Sequence, residues 1–271
     1  MSITRFAAIG SHTLHYRLDG QAATVTGPPL VFINSLGSDL RIWDGLIADF
    51  AERCALIRYD QRGHGLSDCP PGPYTLRDHT DDLAGLLAHL QAPAAILIGV
   101  SVGGMIALDF AHQHPERVQG LVLCDTGAKI STAEYWSERS SAVRQGGLAP
   151  LAPMILARWF SSTFAATAPA AYRGYANMLT RTPVEGYAAT CEALRDADLR
   201  EVVPNINIPA LVLCGEEDLA TPPSLGRELA AALPNAHFAL IPQAGHLPSL
   251  EQAKALATAI QHFLMEIQRL P

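Results

Sequence analysis

The chain has 271 residues, 49% of them hydrophobic and 17% charged, so it can bury a sizeable core and is not a disordered chain. Its formal net charge is −7 and its pI about 5.8, and no Lys/Arg run supplies the basic face that nucleic acid or an anionic membrane would require. The length fits either two domains or one α/β core with an insertion.

Short apolar runs alternate with helical patterns along most of the chain. After an N-terminal hairpin at residues 4–9 and 13–19, six runs are typical of strands buried on both faces, at residues 30–33, 55–59, 94–100, 118–124, 210–215 and 237–241. Residues 75–78 and 249–252 have the pattern of helix starts. These features predict an α/β fold, with a mostly parallel eight-stranded sheet flanked by helices.

The alternation stops between residues 130 and 203, where the sequence is helical and rich in Ala, Ser, Trp, Tyr and Arg. We interpret this segment as a helical cap over the carboxyl ends of the strands, the edge at which open α/β sheets bind ligands. The prediction is a core of residues 1–129 and 204–271 with a cap of residues 130–203.

The N-terminus and the cysteines indicate the compartment. Residues 1–5 lack the apolar run of a signal peptide, and no stretch reaches the roughly 20 apolar residues that span a bilayer. The five cysteines are widely spaced and form no CxxC pair, and Cys124 and Cys214 each end an apolar run. We therefore expect buried free thiols and a cytoplasmic protein that binds no membrane.

A G-x-S-x-G motif, Gly99 to Gly103, stands between a predicted strand and a predicted helix. In that context it is a nucleophile elbow, whose glycines permit a tight turn and whose serine lies above the sheet edge at the positive end of the helix. Since the motif alone also occurs by chance, the flanking elements are what point to Ser101 as a nucleophile.

A serine nucleophile needs a base, and the base needs an acid that orients it. Among ten histidines, His246 lies on the loop between the last strand and the last helix, although a structural loop histidine is the alternative. Asp218 and Asp125 each follow a predicted strand, and both satisfy the chain order Ser, Asp, His. The loop of residues 218–222 is similar to the acid loop of many hydrolases, which favours Asp218.

Two backbone amides are expected to form an oxyanion hole, that of Val102 after the nucleophile and that of Leu36 in the loop after residues 30–33. The turn at residues 60–67 has the form D-x-R-G-x-G-x-S, and we interpret its Arg62 and His64 as structural, with substrate contact as the alternative. No metal-binding or dinucleotide-binding pattern occurs, so we expect neither a metal nor a cofactor.

With these motifs the whole chain resembles the α/β-hydrolase superfamily, and several shorter strings resemble 3-oxoadipate enol-lactonases. The strings are Asn34-Ser35-Leu36-Gly37, Leu123-Cys124-Asp125-Thr126, Ala128-Lys129-Ile130, Ala157-Arg158-Trp159-Phe160, and Gly186-Tyr187-Ala188-Ala189 followed by Cys191 and Arg195-Asp196-Ala197-Asp198. Most relatives carry His-Gly where this chain has Asn34-Ser35. The departure keeps the Leu36 amide available and leaves its geometry open.

The resemblance implies hydrolysis of 3-oxoadipate enol-lactone to 3-oxoadipate, a step of bacterial protocatechuate and catechol catabolism, without a cofactor. Ser101 would attack the lactone carbonyl with His246 as its base, and water would then free the product. The expected partner is a small anionic lactone, with no nucleic acid and no membrane, and a homo-oligomer is compatible with the sequence.

The cap contains candidates for binding the free carboxylate of such a lactone. Trp136 and Arg139 are three residues apart and would share a helix face, and Arg158 and Trp159 form a second cationic and aromatic pair. We expect Arg139 to bind the carboxylate and Trp136 to line the lactone ring. The alternative is that the tryptophans pack the cap on the core and the arginines are solvated.

Other functions share these motifs. A broad-specificity carboxylesterase or perhydrolase and a C–C bond hydrolase of aromatic meta-cleavage pathways would use the same triad, and a ligand-sensing receptor of the same fold would bind without turnover. A dehalogenase is disfavoured, because it would have aspartate at the position of Ser101.

Overall fold

The computed structural model describes residues 3–20 and 27–267. Its strands are β1 Ile3–Ile9, β2 His12–Asp19, β3 Leu30–Ile33, β4 Leu56–Tyr59, β5 Ala95–Val100, β6 Val118–Cys124, β7 Ala210–Gly215 and β8 Ala236–Ile241. They form one sheet in the order β1-β2-β4-β3-β5-β6-β7-β8. The pairs β1–β2 and β2–β4 are antiparallel and the other pairs are parallel. The predicted fold class is confirmed, and the predicted strand ends agree closely with these bounds.

The middle of the sheet is buried on both faces, because its strands consist almost entirely of apolar residues. Every residue of β3, β4, β5 and β7 is buried. Arg58 in β4 is the polar exception, and its guanidinium donates to Asp19 of β2 at 2.7 and 3.0 Å. Pairing and hydrogen bonding are what make a buried charge tolerable at this position.

Helices cover both faces of the sheet. Their bounds are α1 Ile47–Phe50, α2 Leu76–His89, α3 Val102–Gln113, α4 Ala133–Gly146, α5 Ala152–Trp159, α6 Phe164–Thr167, α7 Pro169–Thr180, α8 Val184–Asp196, α9 Pro223–Ala232, α10 Pro248–Glu251 and α11 Ala253–Glu266, with 3₁₀ turns at Leu40–Leu46, Pro115–Arg117 and Val203–Asn205. Within the described ranges, no helix is long and apolar enough to cross a membrane.

One of the two predicted helix starts is confirmed and one is wrong. Thr75 and Asp78 form a reciprocal capping box at the start of α2. Ser249 caps nothing, because a short helix begins before it at Pro248 and α11 begins after it at Ala253. The Gln252 side chain, which stands three residues after Ser249 and would complete a capping box, instead donates to the carbonyl of Gln243 at 3.2 Å.

The chain between β6 and β7 contains the five helices α4 to α8, with α4 packed on α8. The end of α5 reaches the loop that carries His246, where a Cβ on Gly245 would lie 2.7 Å from the backbone of Phe160. The helical character predicted for this region is therefore present, while the domain borders at 130 and 203 stay a prediction. Cys124 and Cys214 are buried free thiols, as predicted.

Candidate active site

Ser101 occupies a strained turn between β5 and α3. Its φ of 60° and ψ of −122° are rare for a residue with a side chain, and such strain persists where the surroundings enforce it. The surroundings are tight: a Cβ on Gly99 would lie 2.3 Å from the carbonyl oxygen of Gly103, and a Cβ on Gly103 would lie 2.3 Å from that of Ile33. The turn thus depends on both glycines of the motif and presents the Ser101 side chain at the N-terminus of α3.

His246 and Asp218 form a buried pair at the same edge of the sheet. Nδ1 of His246 donates to Oδ2 of Asp218 at 2.9 Å, and both side chains are almost fully buried. Burial acts to raise the pKa of Asp218, but its interactions with His246 and Thr221 outweigh that effect and lower it. Asp218 is therefore a carboxylate that fixes the ring orientation and leaves Nε2 of His246 to act as an acceptor.

Ser101 and His246 line one cavity, so the structure brings the predicted nucleophile and base together. Among the described residues, the Ser101 hydroxyl makes no hydrogen bond to the imidazole. Such contacts are often long in the absence of substrate and tighten when it binds.

The competing acid, Asp125, lies beside the pair in a different role. One of its oxygens accepts from the N–H of Gly215 at 2.7 Å, and the other has no hydrogen-bond partner in the described structure. Asp125, Asp218 and His246 each place one carboxylate oxygen or ring nitrogen within 4.8 Å of the others. Burial and the charge of Asp218 raise the pKa of Asp125 well above its usual range. The hydrogen bond to Nδ1 belongs to Asp218.

The two predicted oxyanion donors, the amides of Leu36 and Val102, have no acceptor among the residues that the structure describes. The loop of Leu36 is held by His64, whose Nε2 accepts from the N–H of Gly37 at 3.0 Å while its Nδ1 bonds to the carbonyl of Arg62 at 3.0 Å. Free amides on a loop fixed in this way are suited to stabilising an anionic oxygen.

The residues that depart from the relatives' His-Gly pair also have defined places. The side chain of Asn34 donates to the carbonyl of Tyr59 at 2.8 Å and accepts from the indole of Trp43 at 3.0 Å, so it is a buried structural group. Ser35 lines the cavity. Arg62, in the turn of residues 60–67, is paired with Asp82 at 2.7 Å. These contacts agree with the structural interpretation of that turn.

Glu251 connects the histidine loop to the helical segment between β6 and β7, a link that the sequence did not predict. Its carboxylate accepts from the N–H of Gly245 at 2.7 Å and from both the N–H and the hydroxyl of Ser161, the second residue after the end of α5. Burial raises the pKa of Glu251 despite these donors. The carboxylate therefore fixes the position of the residue that immediately precedes His246.

A small cavity of about 50 Å³ lies over Ser101. The four residues predicted from the cap, Trp136, Arg139, Arg158 and Trp159, all line it. The two tryptophans are buried, so they pack the cap and form the wall at once. Contact of Trp136 with a lactone ring stays a prediction, whereas Arg139 is not solvated, because only 8% of it is exposed.

Two tyrosines in the cavity wall were not predicted. The Arg139 guanidinium donates to the hydroxyl of Tyr187 at 3.2 Å and to that of Tyr135. Tyr135 directly precedes Trp136, but its meeting with Tyr187 of α8 depends on how α4 packs on α8. No pattern in the sequence indicates that contact.

The fold and this site define the chain as a member of the α/β-hydrolase family, and the profile of the alpha/beta hydrolase fold matches residues 28–253. The chain is thus an α/β hydrolase. It is 37% identical to 3-oxoadipate enol-lactonase 2 of Acinetobacter baylyi over 92% of this chain and 91% of that protein. It is 32% identical to 3-oxoadipate enol-lactonase 1 of the same organism, over 94% of each.

A solved structure gives the same picture. The enol-lactonase from Burkholderia xenovorans LB400 superposes with a TM-score of 0.93 and 38% sequence identity, covering 96% of this chain and 100% of that one. The similarity extends through the segment between β6 and β7, because nearly the whole of both chains is matched.

Proposed function

We propose that this protein is a serine hydrolase that opens the lactone ring of 3-oxoadipate enol-lactone to 3-oxoadipate. The observation that carries the proposal is a cavity lined by the buried cation Arg139 together with Ser101 and His246. The names of the similar enol-lactonases support the substrate. We place the reaction in bacterial aromatic catabolism and in the cytoplasm, which the five free cysteines support.

Arg139 supports an anionic substrate because it has no anionic partner of its own. Its described hydrogen bonds go to two phenols, and no Asp or Glu oxygen of the described residues lies within 4.0 Å of its guanidinium. An arginine stays charged even when buried, and a buried charge is costly unless it is paired. A carboxylate on the ligand would complete the pairing.

The proposed reaction has two halves. Ser101 bonds to the lactone carbonyl carbon, its proton passes to Nε2 of His246, and the amides of Leu36 and Val102 stabilise the oxyanion. The bond between the carbonyl carbon and the ring oxygen then breaks, and the enol formed becomes the 3-oxo group. In the second half, water loses a proton to His246, attacks the acyl carbon and releases the acid, which restores the Ser101 hydroxyl. Asp218 keeps its negative charge throughout.

The test compares the enol-lactone with a neutral ester, p-nitrophenyl butyrate, in wild type, Arg139→Leu and Arg173→Leu. Arg173 is an exposed cap arginine on α7 and serves as the matched control. Arg139→Leu removes one hydrogen-bonded charge. The loss of transition-state stabilisation calculated from kcat/KM should therefore be about 1.5–3 kcal/mol larger for the lactone than for the ester. Arg173→Leu should match wild type.

The outcomes separate the competing functions. A wild type that hydrolyses the ester but not the lactone would be a carboxylesterase. Stoichiometric binding without turnover of either compound would identify a receptor. Equal losses for both substrates in Arg139→Leu would mean that Arg139 is structural.

A further inference from the structure

We propose that Arg158 is a further catalytic residue, which stabilises the negative charge that forms on the ring oxygen when the lactone opens. The inference rests on the proposed function and extends it from substrate binding to leaving-group chemistry. The cavity contains more positive charge than the ground-state substrate can neutralise.

Two guanidinium groups lie against one tyrosine ring in the cavity wall. The Cζ atoms of Arg139 and Arg158 are 5.1 and 5.4 Å from the centroid of Tyr135. Arg158 donates to the carbonyl of Ala220 at 3.3 Å, and in the described chain it too has no Asp or Glu oxygen within 4.0 Å. A lactone with one free carboxylate neutralises one of these two cations and leaves the other without an anion.

The second negative charge arises during the reaction itself. As Ser101 bonds to the carbonyl carbon, the bond from that carbon to the ring oxygen breaks with its electron pair on the oxygen. The product of this step is an enolate, whose oxygen takes the proton that His246 received from Ser101; the resulting enol then tautomerises to the ketone. A cation that interacts with the ring oxygen only as its negative charge develops lowers the barrier without tightening substrate binding.

The positions of the two arginines indicate which of them would bind the substrate carboxylate and which the leaving ring oxygen. Arg139 is bound to Tyr187, whose ring would lie 2.9 Å from a Cβ on Gly37, beside the Leu36 amide. Arg158 is instead bound to the loop of Asp218, through the carbonyl of Ala220. The leaving oxygen must lie on the histidine side, because His246 supplies its proton. Arg158 is the guanidinium on that side.

Tyr135 is the group that holds both cations in place. Its ring faces the two guanidinium carbons, and its hydroxyl accepts from Arg139. A cation over an aromatic face is stabilised electrostatically, which offsets part of the repulsion between two like charges in a small cavity. The arrangement therefore keeps both charges available to the ligand.

The experiment measures kcat and KM for the enol-lactone and for p-nitrophenyl butyrate in wild type, Arg158→Met, Arg158→Lys and the exposed control Arg173→Met. Methionine keeps an unbranched apolar stem in place of the guanidinium. Arg158→Met should lower kcat for the lactone by roughly 10²-fold, the loss seen when one charge-stabilising donor is removed, with KM changed less than about threefold. The loss for the aryl ester should be at least about tenfold smaller, because p-nitrophenolate leaves without strong stabilisation.

Two further readouts test the charge itself. Arg158→Lys should recover part of kcat, and added methylguanidinium should partly restore Arg158→Ala. A rise in KM at constant kcat would make Arg158 a second carboxylate ligand, and equal losses on both substrates would reduce it to a support of the Asp218 loop. Either result overturns this inference, whereas the proposed function stands as long as the wild type hydrolyses the lactone. A wild type inactive on the lactone refutes both.

Discussion

Replacing Asp218 by asparagine removes the carboxylate oxygen that accepts from Nδ1 of His246 at 2.9 Å. The other oxygen can still accept from the N–H groups of Ala220 and Thr221, at 2.7 and 3.1 Å, so the loop should keep its shape. The new amide group donates toward Nδ1 and leaves the ring proton on Nε2, the nitrogen that must accept from Ser101. We expect kcat to fall roughly 10⁴-fold, or about 5.4 kcal/mol of transition-state stabilisation.

Asp125→Asn is the matched control, since Asp125 is also a buried carboxyl group but differs from Asp218 in its hydrogen-bond partners. Asparagine keeps the acceptor for the N–H of Gly215, and burial together with the charge of Asp218 favours the neutral form of Asp125, which asparagine resembles. The loss in kcat should stay below about tenfold, the size of one net hydrogen bond. The assay is steady-state turnover of the enol-lactone by both variants. A larger loss in Asp125→Asn would refute the assignment of the acid.

The raised pKa of Asp125 also predicts how the free energy of unfolding depends on pH. Because the pKa of Asp125 is raised on folding, the folded state binds more protons than the unfolded state above the ordinary pKa of about 3.9. The free energy of unfolding therefore declines as pH rises through that range, and Asp125→Asn should abolish this decline. Urea unfolding at pH 5 and pH 8 measures it. A variant that gains no stability relative to wild type at pH 8 would contradict the shift.

Three further predictions concern the nucleophile, its turn and its support. Ser101→Ala should lower turnover on the order of 10⁴-fold or more with lactone binding retained; near-wild-type kinetics would exclude Ser101 as the nucleophile. Gly103→Ala places a methyl group against the carbonyl of Ile33, so urea unfolding should show a loss beyond the usual range of about 0.5–3 kcal/mol, and a neutral result would contradict the contact. Glu251→Ala leaves the N–H groups of Gly245 and Ser161 without their acceptor. It should lower the free energy of unfolding by about 1–3 kcal/mol and also lower kcat, and an unchanged kcat would mean that Glu251 has a structural role only.

Periodicity predicted the fold because each buried strand is a continuous apolar run, and such runs have few alternatives in a chain of this length. β3 and β6 were predicted with the bounds that the structure has. The site followed from the same logic. In a parallel sheet the carboxyl ends of the strands meet at one edge, so Ser101, Asp218 and His246 could be expected to approach one another although they are far apart in sequence.

What could not be predicted depends on contacts between segments that no local pattern links. Glu251 is the instructive case, since no local sequence pattern assigns a partner to its carboxylate. Gly245 and Ser161 together offer it three donors, and the two from Ser161 are 90 residues away in the sequence. Tyr135 likewise acquires its role only when α4 and α5 bring two arginines to its ring. In both cases a partner from the segment between β6 and β7 holds a charged side chain, so the geometry of the candidate site depends on how that segment packs on the sheet edge.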